Sequence, residues 1–170
     1  GIINADASIR RVLIICPASL RLNWQREAEK WLVRAMTVGV VDAKGGWVDS
    51  DVVVINYDIL HKFRSEIDAV QWDLLVVDEC HYCKNSRAKR TQMVLGKWDR
   101  DPVKKIEPIQ ARRQVFLTGT PITNRPIEIW PVAHALDPVT FNSMVGFAKR
   151  YCGAYQGRYG WDFSGATNLD

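Results

Sequence analysis

The sequence has few cysteines, no long apolar run and little net charge. Four cysteines among 170 residues, without a secretory-type start, argue against a disulfide framework and favour reduced thiols. The longest apolar runs, such as residues 52–55 and 74–77, fall far short of the roughly 20 residues that a membrane-spanning helix needs. The net charge of +4, from 23 Lys and Arg against 19 Asp and Glu, permits a polyanionic partner without requiring one. We therefore expect an intracellular protein with no membrane partner.

Short apolar runs and amphipathic segments alternate along the chain. A length of 170 residues with 47% hydrophobic content is enough for one core, so residues 1–170 are treated as one domain. Continuous apolar runs predict strands buried on both faces, and three- and four-residue spacing predicts helices between them. The predicted strands are 12–16, 36–41, 52–55, 72–77 and 114–117. The main predicted helices are 19–32, 58–63 and 127–136, with a further helical segment ending near 95. This alternation predicts an α/β fold with a parallel sheet.

Four finer expectations concern individual residues and short segments. Ser19 is placed to cap the first long helix, and Trp24 and Trp31 share a helical spacing that favours core packing over base stacking. Residues 99–112, with two prolines and mixed charge, indicate an exposed excursion. The tail after Arg150 shows no clear periodicity.

The strongest local signal is the segment 74–79, where four apolar residues deliver Asp78 and Glu79 to a strand end. An apolar strand that ends in two adjacent acids has the form of a Walker B element. In that interpretation Asp78 holds Mg²⁺ and Glu79 orients and deprotonates the attacking water. A plain acidic turn at the end of a strand is the alternative.

Asp78-Glu79-Cys80-His81 resembles the Asp-Glu-x-His box of superfamily 2 helicases, and Lys84-Asn85 resembles the extension found in Swi/Snf-type ATPases. Three further segments resemble motifs of the same family, in its order and with its ordinary spacing. They are residues 15–20 with Asn23-Trp24 (motif Ia), 55–58 (motif Ib), and 117–122 with 124–126 (motif III). The ending, Arg150-Tyr151-Cys152 followed by residues 160–169, is similar to lobe 1 of the annealing-helicase, or HepA-related, subfamily.

The resemblance implies an incomplete first helicase lobe with a RecA-like (P-loop NTPase) parallel sheet and flanking helices, which uses ATP and Mg²⁺. It implies catalytic roles for Asp78, Glu79 and His81, with Asp78 as the Mg²⁺ ligand. It implies that Thr118, Gly119, Thr120 and Pro121 couple the nucleotide site to the DNA track.

The family grips the phosphate backbone of DNA without reading bases, so double-stranded or forked DNA is the expected partner. Loops after the strands are the expected contacts, and positive charge near them attracts phosphate. The candidates are Pro17, Ser19, Leu20, Asn56, Tyr57, Lys84, Asn85, Asn124 and Arg125. The basic run of residues 87–90 lies nearby, although such a run is more often a solvated face. The expected location is the nucleus of a eukaryote, or the cytoplasm or nucleoid in a prokaryotic or viral setting.

Cys80-His81-Tyr82-Cys83 also raises the possibility of zinc. A structural zinc site needs four ligands, and no second Cys/His pair follows at a useful spacing. We therefore expect no structural zinc.

The sequence departs from the family in having no Gly-x-x-x-x-Gly-Lys-Ser/Thr loop, which would supply the amides, lysine and hydroxyl that hold phosphates. The second RecA-like lobe is also absent, so we expect no ATPase activity from this chain alone. Without a phosphate-loop strand beside it, the strand 114–117 is expected to present an unpaired edge through which the chain self-associates or near which it is poorly ordered.

Two other functions remain open at this point. The chain is alternatively a DNA-binding or protein-interaction module that has kept the lobe fold without catalysis. A third candidate is another superfamily 2 motor, such as a restriction-enzyme translocase subunit. The adjacent acids argue against a module without catalysis. Lys84-Asn85 and the 161–169 ending argue against another superfamily 2 motor.

Overall fold

The fold is built on a five-stranded parallel sheet. The computed structural model describes residues 1–97, 99–158 and 160–168; Leu169, in the subfamily-like ending, lies outside them. The strands are β1 (Val12–Cys16), β2 (Val38–Val40), β3 (Val52–Asn56), β4 (Trp72–Asp78) and β5 (Ala111–Leu117). Their order is β2-β3-β1-β4-β5, and every neighbouring pair is parallel. The predicted α/β class with a parallel sheet is therefore confirmed.

Helices flank the sheet. The α-helices are α1 (Ile2–Ala5), α2 (Arg21–Trp31), α3 (Arg64–Asp68), α4 (Lys89–Leu95), α5 (Trp130–Leu136) and α6 (Met144–Tyr151). Short 3-10 helices occupy Ala18–Leu20, Tyr57–Lys62, Cys80–Cys83 and Pro126–Ile129. The tail forms an antiparallel hairpin of β6 (Tyr155–Gly157) and β7 (Gly160–Asp162). No helix in the described ranges is long and apolar enough to cross a membrane.

Two apolar clusters hold the sheet between its helices. Every residue of β1 and β3 is buried, as expected for β-branched runs in a parallel sheet covered on both faces. Alternate side chains enter opposite clusters: Leu13 and Ile15 pack with Leu60, while Ile14 packs with the half-buried Trp24 of α2. The clusters fix the strand ends from which the loops begin.

Several sequence-based expectations at the residue level are wrong. Ser19 does not cap α2, because it lies inside a 3-10 helix and α2 begins at Arg21 with Leu20 before it. Trp31 is 62% exposed because it lies at the last turn of α2. The predicted strand 36–41 is shortened to Val38–Val40.

The segment 99–112 is only partly an excursion. Ile109 is fully buried, and its amide donates to the carbonyl of Val94 at 3.0 Å. Lys97 and Ile106 form an antiparallel bridge that closes the loop, and residues 111 and 112 already belong to β5. A single apolar residue that returns to the core carries no periodicity, which is why the sequence pattern missed it.

Strand β5 lies at one end of the sheet, and within the described ranges only β4 pairs with it. Beside this edge, an open apolar groove of about 460 Å³ runs between α1, α2 and the sheet, and Trp24, Trp31, Val76, Val115 and Leu117 are among the residues that line it. Leu117 is 38% exposed. The expected unpaired edge at 114–117 is therefore present in the fold.

Candidate functional site

The predicted site residues meet at one edge of the sheet. In a parallel sheet the carboxyl ends of all strands lie on the same side, where ligands bind. The loops after β1, β3, β4 and β5 begin at residues 17, 57, 79 and 118. The register pairs Ile15 with Val77 and Asp78 with Leu117, so these strands end at nearly the same level. The sheet thus gathers four segments that are far apart in sequence.

Asp78 is held by three hydrogen bonds. The indole N–H of Trp24 donates to Asp78 Oδ2 at 2.7 Å, and the amide of Glu79 donates to Asp78 Oδ1 at 3.0 Å. The hydroxyl of Tyr57 donates to the backbone carbonyl of Asp78 at 2.7 Å. Both the carboxylate and the backbone at this position are therefore oriented by other elements.

Glu79 has a left-handed backbone conformation, with φ 51° and ψ 51°. Residues other than glycine rarely adopt this region, and such strain is typical of functional sites. It turns the chain sharply from β4 into the 3-10 helix Cys80–Cys83. The turn directs the Glu79 carboxylate towards the end of β5 instead of along the axis of β4.

A network of side chains joins Glu79 to the loop after β5. The hydroxyl of Thr118 donates to Glu79 Oε2 at 3.2 Å. His81 Nδ1 lies 3.1 Å from both Glu79 Oε2 and Thr118 Oγ1. The amide of Thr120 donates to Thr118 Oγ1 at 3.1 Å, and Thr120 Oγ1 lies 3.5 Å from His81 Nδ1. Because imidazole and hydroxyl groups exchange hydrogen-bond partners easily, this network can rearrange when the Glu79 carboxylate changes its own partner.

Lys84 also contacts the segment that follows β5, at residues further from the strand end than Thr118. Its ammonium donates to Thr123 Oγ1 at 2.9 Å and lies 3.5 Å from Glu128 Oε2. Glu128 also accepts hydrogen bonds from the Thr123 hydroxyl at 2.5 Å and from the Asn124 amide group. Burial tends to raise the pKa of Glu128, but these hydrogen bonds and the Lys84 charge outweigh it and hold the pKa below its usual value.

The remaining predicted residues divide by exposure. Pro17, Ser19 and Leu20 form the loop after β1, with Ser19 exposed and the other two half-buried. Asn85, Gly119, Pro121, Asn124 and Arg125 are exposed on the loops after β4 and β5. These residues and Lys84 therefore line one accessible edge.

Asn56 and Tyr57 differ from the expectation. They are 5% and 4% exposed, and Tyr57 stacks on Tyr82 with ring centroids 5.4 Å apart. Burial raises the pKa of the Tyr57 phenol well above its usual range. Their side chains face the protein and not an approaching phosphate, because β3 is a central strand. Tyr57 instead supports the backbone of Asp78.

The cysteines are all buried and free. Burial raises the pKa of Cys16 to about 12, that of Cys83 to about 12 and that of Cys80 to about 11. Among the described residues no three His, Cys, Asp or Glu side chains gather in a metal-binding group. The expectation of no structural zinc remains a prediction.

The donor set at Asp78 fits Mg²⁺ bound together with a nucleotide. Mg²⁺ in such sites takes one or two carboxylates and completes its shell with phosphates and water, not with a cage of protein ligands. Asp78 supplies one oriented carboxylate at a half-buried strand end, and Glu79 follows it. When bound, Mg²⁺ would neutralise phosphate charge there.

Two contributors were not assigned to the site from sequence. Trp24 was expected in the core, and Glu128 was not singled out. A signal for Trp24 existed in the sequence, because Asn23-Trp24 belongs to the segment that resembles motif Ia and follows the 17–20 loop. Glu128 lies in the 3-10 helix Pro126–Ile129 and binds Asn124, which precedes that helix; no sequence signal pointed to it.

A parallel sheet with an oriented Asp-Glu pair at the end of a central strand, joined to hydroxyls after the next strand, defines a RecA-like lobe. The chain belongs to the SNF2-related domain family, whose sequence profile matches residues 2–156. The family predicted from the motifs is therefore confirmed.

Individual relatives agree with this membership. The chain is 34% identical over 172 residues to the human DNA annealing helicase and endonuclease ZRANB3, covering 94% of this chain and 15% of that protein. It is 30% identical over 161 residues to the SWI/SNF-related matrix-associated actin-dependent regulator of chromatin subfamily A-like protein 1 of Bos taurus, covering 93% and 16%. The chain thus spans about one sixth of the length of these relatives.

The fold is also that of solved structures of this kind. The Sulfolobus solfataricus SWI2/SNF2 ATPase core in complex with dsDNA superposes with a TM-score of 0.70 at 22% identity, covering 88% of this chain and 30% of that one. The same core domain described without DNA gives a TM-score of 0.65 at 23% identity, covering 89% and 29%.

Proposed function

We propose that the protein to which this chain belongs is a DNA-dependent ATPase that couples ATP hydrolysis to movement along double-stranded DNA, and so remodels it or reanneals its strands. The observation that carries the proposal is the network from Glu79 through His81 to Thr118. It joins the acid that would activate water to the loop that would sense DNA. A pure binding module has no chemical need for this link.

The roles of the residues follow from their contacts. Asp78, fixed by Trp24 and Tyr57, would present its carboxylate to Mg²⁺. Glu79 would accept a proton from the attacking water, and general bases of this kind contribute about 10²–10⁴ in rate. His81 and Thr118 would hold the Glu79 carboxylate and release it when the loop after β5 moves.

DNA contact is proposed at the exposed residues of the strand-end loops. Ser19, Asn85, Asn124 and Arg125 are accessible there, and Lys84 contributes a positive charge that Glu128 partly offsets. Contacts to phosphate oxygens from such groups position a protein on the duplex without reading its sequence. At Asn56 and Tyr57 only the backbone remains as a candidate contact.

The relatives' names support a role in DNA processing, since one is an annealing helicase and another a regulator of chromatin. A protein with this role would work where DNA is held, in the nucleus or in the cytoplasm and nucleoid. Because this chain contains no phosphate-loop sequence, we propose that it hydrolyses no ATP alone. Catalysis would then need that loop and a second RecA-like lobe.

The test is DNA-stimulated ATPase activity of the full-length protein, comparing wild type with Glu79→Gln. This change keeps the side-chain shape and removes the base. We expect duplex or forked DNA to stimulate hydrolysis and Glu79→Gln to reduce the rate by at least about 10², while ATP still binds.

Glu29→Gln is the matched control, because Glu29 is exposed on α2 and accepts a hydrogen bond only from Gln25 among the described contacts. It should leave hydrolysis unchanged. Absence of DNA-dependent hydrolysis in wild type would favour a binding module that has kept the lobe fold. Equal hydrolysis rates for Glu79→Gln and wild type would reject Glu79 as the base.

A further inference from the structure

We propose that Trp24 is a positioning residue that transmits contact at the 17–20 loop to the carboxylate of Asp78. The inference deepens the proposed function and rests on it, since it names how a DNA-side segment would act on the Mg²⁺ ligand. It stands on a hydrogen bond between two segments 54 residues apart.

The contact is chemically specific. An indole has one polar group, an N–H that donates and never accepts, and that of Trp24 meets Asp78 Oδ2 at 2.7 Å. This distance is typical of a bond to a charged acceptor. The ring itself is half-buried against the cluster that contains Ile14 and Val76. This packing therefore positions the indole N–H next to the end of β4.

The backbone of Asp78 is fixed separately. Asp78 ends β4, is paired with Leu117 of β5, and its carbonyl accepts the Tyr57 hydroxyl. With the main chain held on these two sides, the freedom that remains at this residue is the rotation of its side chain. Trp24 acts on that rotation, because its N–H binds one carboxylate oxygen and leaves the other oriented by the Glu79 amide.

The start of α2 connects Trp24 to the loop. Leu20 N donates to Pro17 O at 2.9 Å, and the Arg21 guanidinium donates to the carbonyls of Ala18 and Val41. Arg21 thus fastens the loop to the first turn of α2, and Trp24 lies three residues further along the same helix. A phosphate that shifts residues 17–20 would shift the indole and with it the Asp78 carboxylate.

The same helix provides a matched control. Trp31 N–H donates to Glu27 Oε2 at 2.7 Å, so Trp31 also makes an indole-to-carboxylate bond. It is 62% exposed and lies at the end of α2, about 10 Å along the helix from Trp24. Trp24→Phe and Trp31→Phe each remove one indole-to-carboxylate hydrogen bond that begins on α2. Only Trp24→Phe removes a hydrogen bond to Asp78.

The first experiment measures hydrogen exchange at the indole N–H groups of the 170-residue chain by ¹⁵N-edited NMR, with Trp24→Phe and Trp31→Phe assigning the two signals. We expect the Trp24 N–H to exchange at least about tenfold more slowly than that of Trp31, and Asp78→Ala to remove most of that protection, since a hydrogen bond to a charged group contributes about a tenfold effect. Exchange at Trp24 that does not respond to Asp78→Ala would overturn the proposal.

The second experiment uses the full-length protein and measures Mn²⁺ affinity in the presence of ADP by electron paramagnetic resonance. Trp24→Phe should weaken Mn²⁺ binding by about 5- to 10-fold, whereas Trp31→Phe should not. Replacing Trp24 by its benzothienyl analogue, which keeps the ring size and exchanges N–H for sulfur, should reproduce the loss without a packing defect. Equal Mn²⁺ affinity in all variants would reject the role of Trp24.

Steady-state hydrolysis then separates the two proposals. If wild type shows DNA-stimulated ATPase activity and Trp24→Phe raises the half-saturating Mg²⁺ concentration and lowers the stimulation by DNA, both stand. If hydrolysis is normal in Trp24→Phe at every Mg²⁺ concentration, the positioning role fails alone. If wild type itself shows no hydrolysis, the proposed function fails, and the role of Trp24 in transmission to a catalytic site fails with it even if exchange shows the bond.

Discussion

At the scale of single residues, the site depends on side chains whose partners lie on other elements. Asp78, Glu79 and His81 come from one short segment, but Trp24 and Thr118 decide how their polar atoms are directed. Outside the site, three buried side-chain atoms have no hydrogen-bond partner among the described residues. They are Arg11 Nε, Thr91 Oγ1 and Trp130 Nε1.

The hydroxyl of Thr91 should therefore cost stability. Thr91 is 2% exposed, and burying an unpaired hydroxyl is unfavourable. We expect Thr91→Val, which removes the hydroxyl at nearly constant volume, to raise the free energy of unfolding by about 1 kcal/mol in urea denaturation.

Thr37→Val is the control for this change. The Thr37 hydroxyl donates to Asp51 Oδ2 at 2.8 Å and accepts from the Asp51 amide at 2.9 Å, so the same replacement should lower the free energy of unfolding. A larger loss for Thr91→Val than for Thr37→Val would show that Thr91 has a partner in solution.

The buried thiols predict how stability depends on pH. Burial raises the pKa of Cys16 and of Cys83 from 9.0 to about 12, so above pH 9 the unfolded chain loses these protons while the folded chain keeps them. The folded state then binds more protons than the unfolded state, and stability falls as pH rises. The stability that these thiols contribute is complete below pH 9 and is lost between pH 9 and about 12.

Urea midpoints at pH 8 and pH 10.5 measure this effect, and the midpoint should be lower at pH 10.5. Burial of the Tyr57 phenol acts in the same direction. A Cys16→Ala and Cys83→Ala double variant should show a smaller drop. A drop of the same size would assign the pH dependence to other groups.

At the scale of elements, the connection from α4 to β5 shows how a loop is tied to the core. Helix α4 ends at Leu95 and is followed by Gly96, whose φ is 83°. The chain turns there into the bridge between Lys97 and Ile106. Ile109 then returns to the core beside Val94. The loop is therefore closed at its base by backbone geometry that glycine permits.

Gly96→Ala should break this closure. A Cβ at Gly96 would lie 2.8 Å from Ile106 O and 2.9 Å from Pro108 N, both backbone atoms, and the left-handed φ is itself unfavourable for alanine. We expect the free energy of unfolding to fall by about 1–3 kcal/mol in urea denaturation.

Gly45→Ala serves as the comparison, because its added Cβ would meet only Asp42 Cβ at 3.7 Å. That variant should stay within about 0.5 kcal/mol of wild type. Equal effects from the two glycines would mean that the turn after α4 is not a constraint on the fold.

At the scale of the whole molecule, the sheet ends at β5, and no strand among the described residues pairs with the outer edge of β5. Strand β5 offers unpaired backbone groups beside the apolar groove, and such edges favour pairing with another chain. Arg112 and Arg113 are exposed on the same strand. Their ion pairs with Asp73 and Asp6 offset part of the charge that would oppose a second copy. We propose weak self-association as the net result.

Sedimentation velocity over a concentration series tests this expectation. The weight-average sedimentation coefficient should rise with concentration for wild type, and Leu117→Lys should suppress the rise by placing a charge at the edge. Val103→Lys is the control, since Val103 is 90% exposed on the loop between α4 and β5. A well-ordered monomer at the highest concentration would contradict the proposal.

The sequence by itself determined the class of fold, because continuous β-branched runs alternating with amphipathic segments are local patterns that a parallel sheet requires. It also singled out Asp78, Glu79, His81 and the 118–121 segment as candidate site residues, through the resemblance of their motifs. The tertiary structure alone decided three contacts. The Trp24 indole binds the Asp78 carboxylate, the Tyr57 hydroxyl binds the Asp78 carbonyl, and the Lys84 ammonium lies beside the Glu128 carboxylate. These contacts join residues on different strands and helices, so they depend on strand order and register, which no local periodicity encodes.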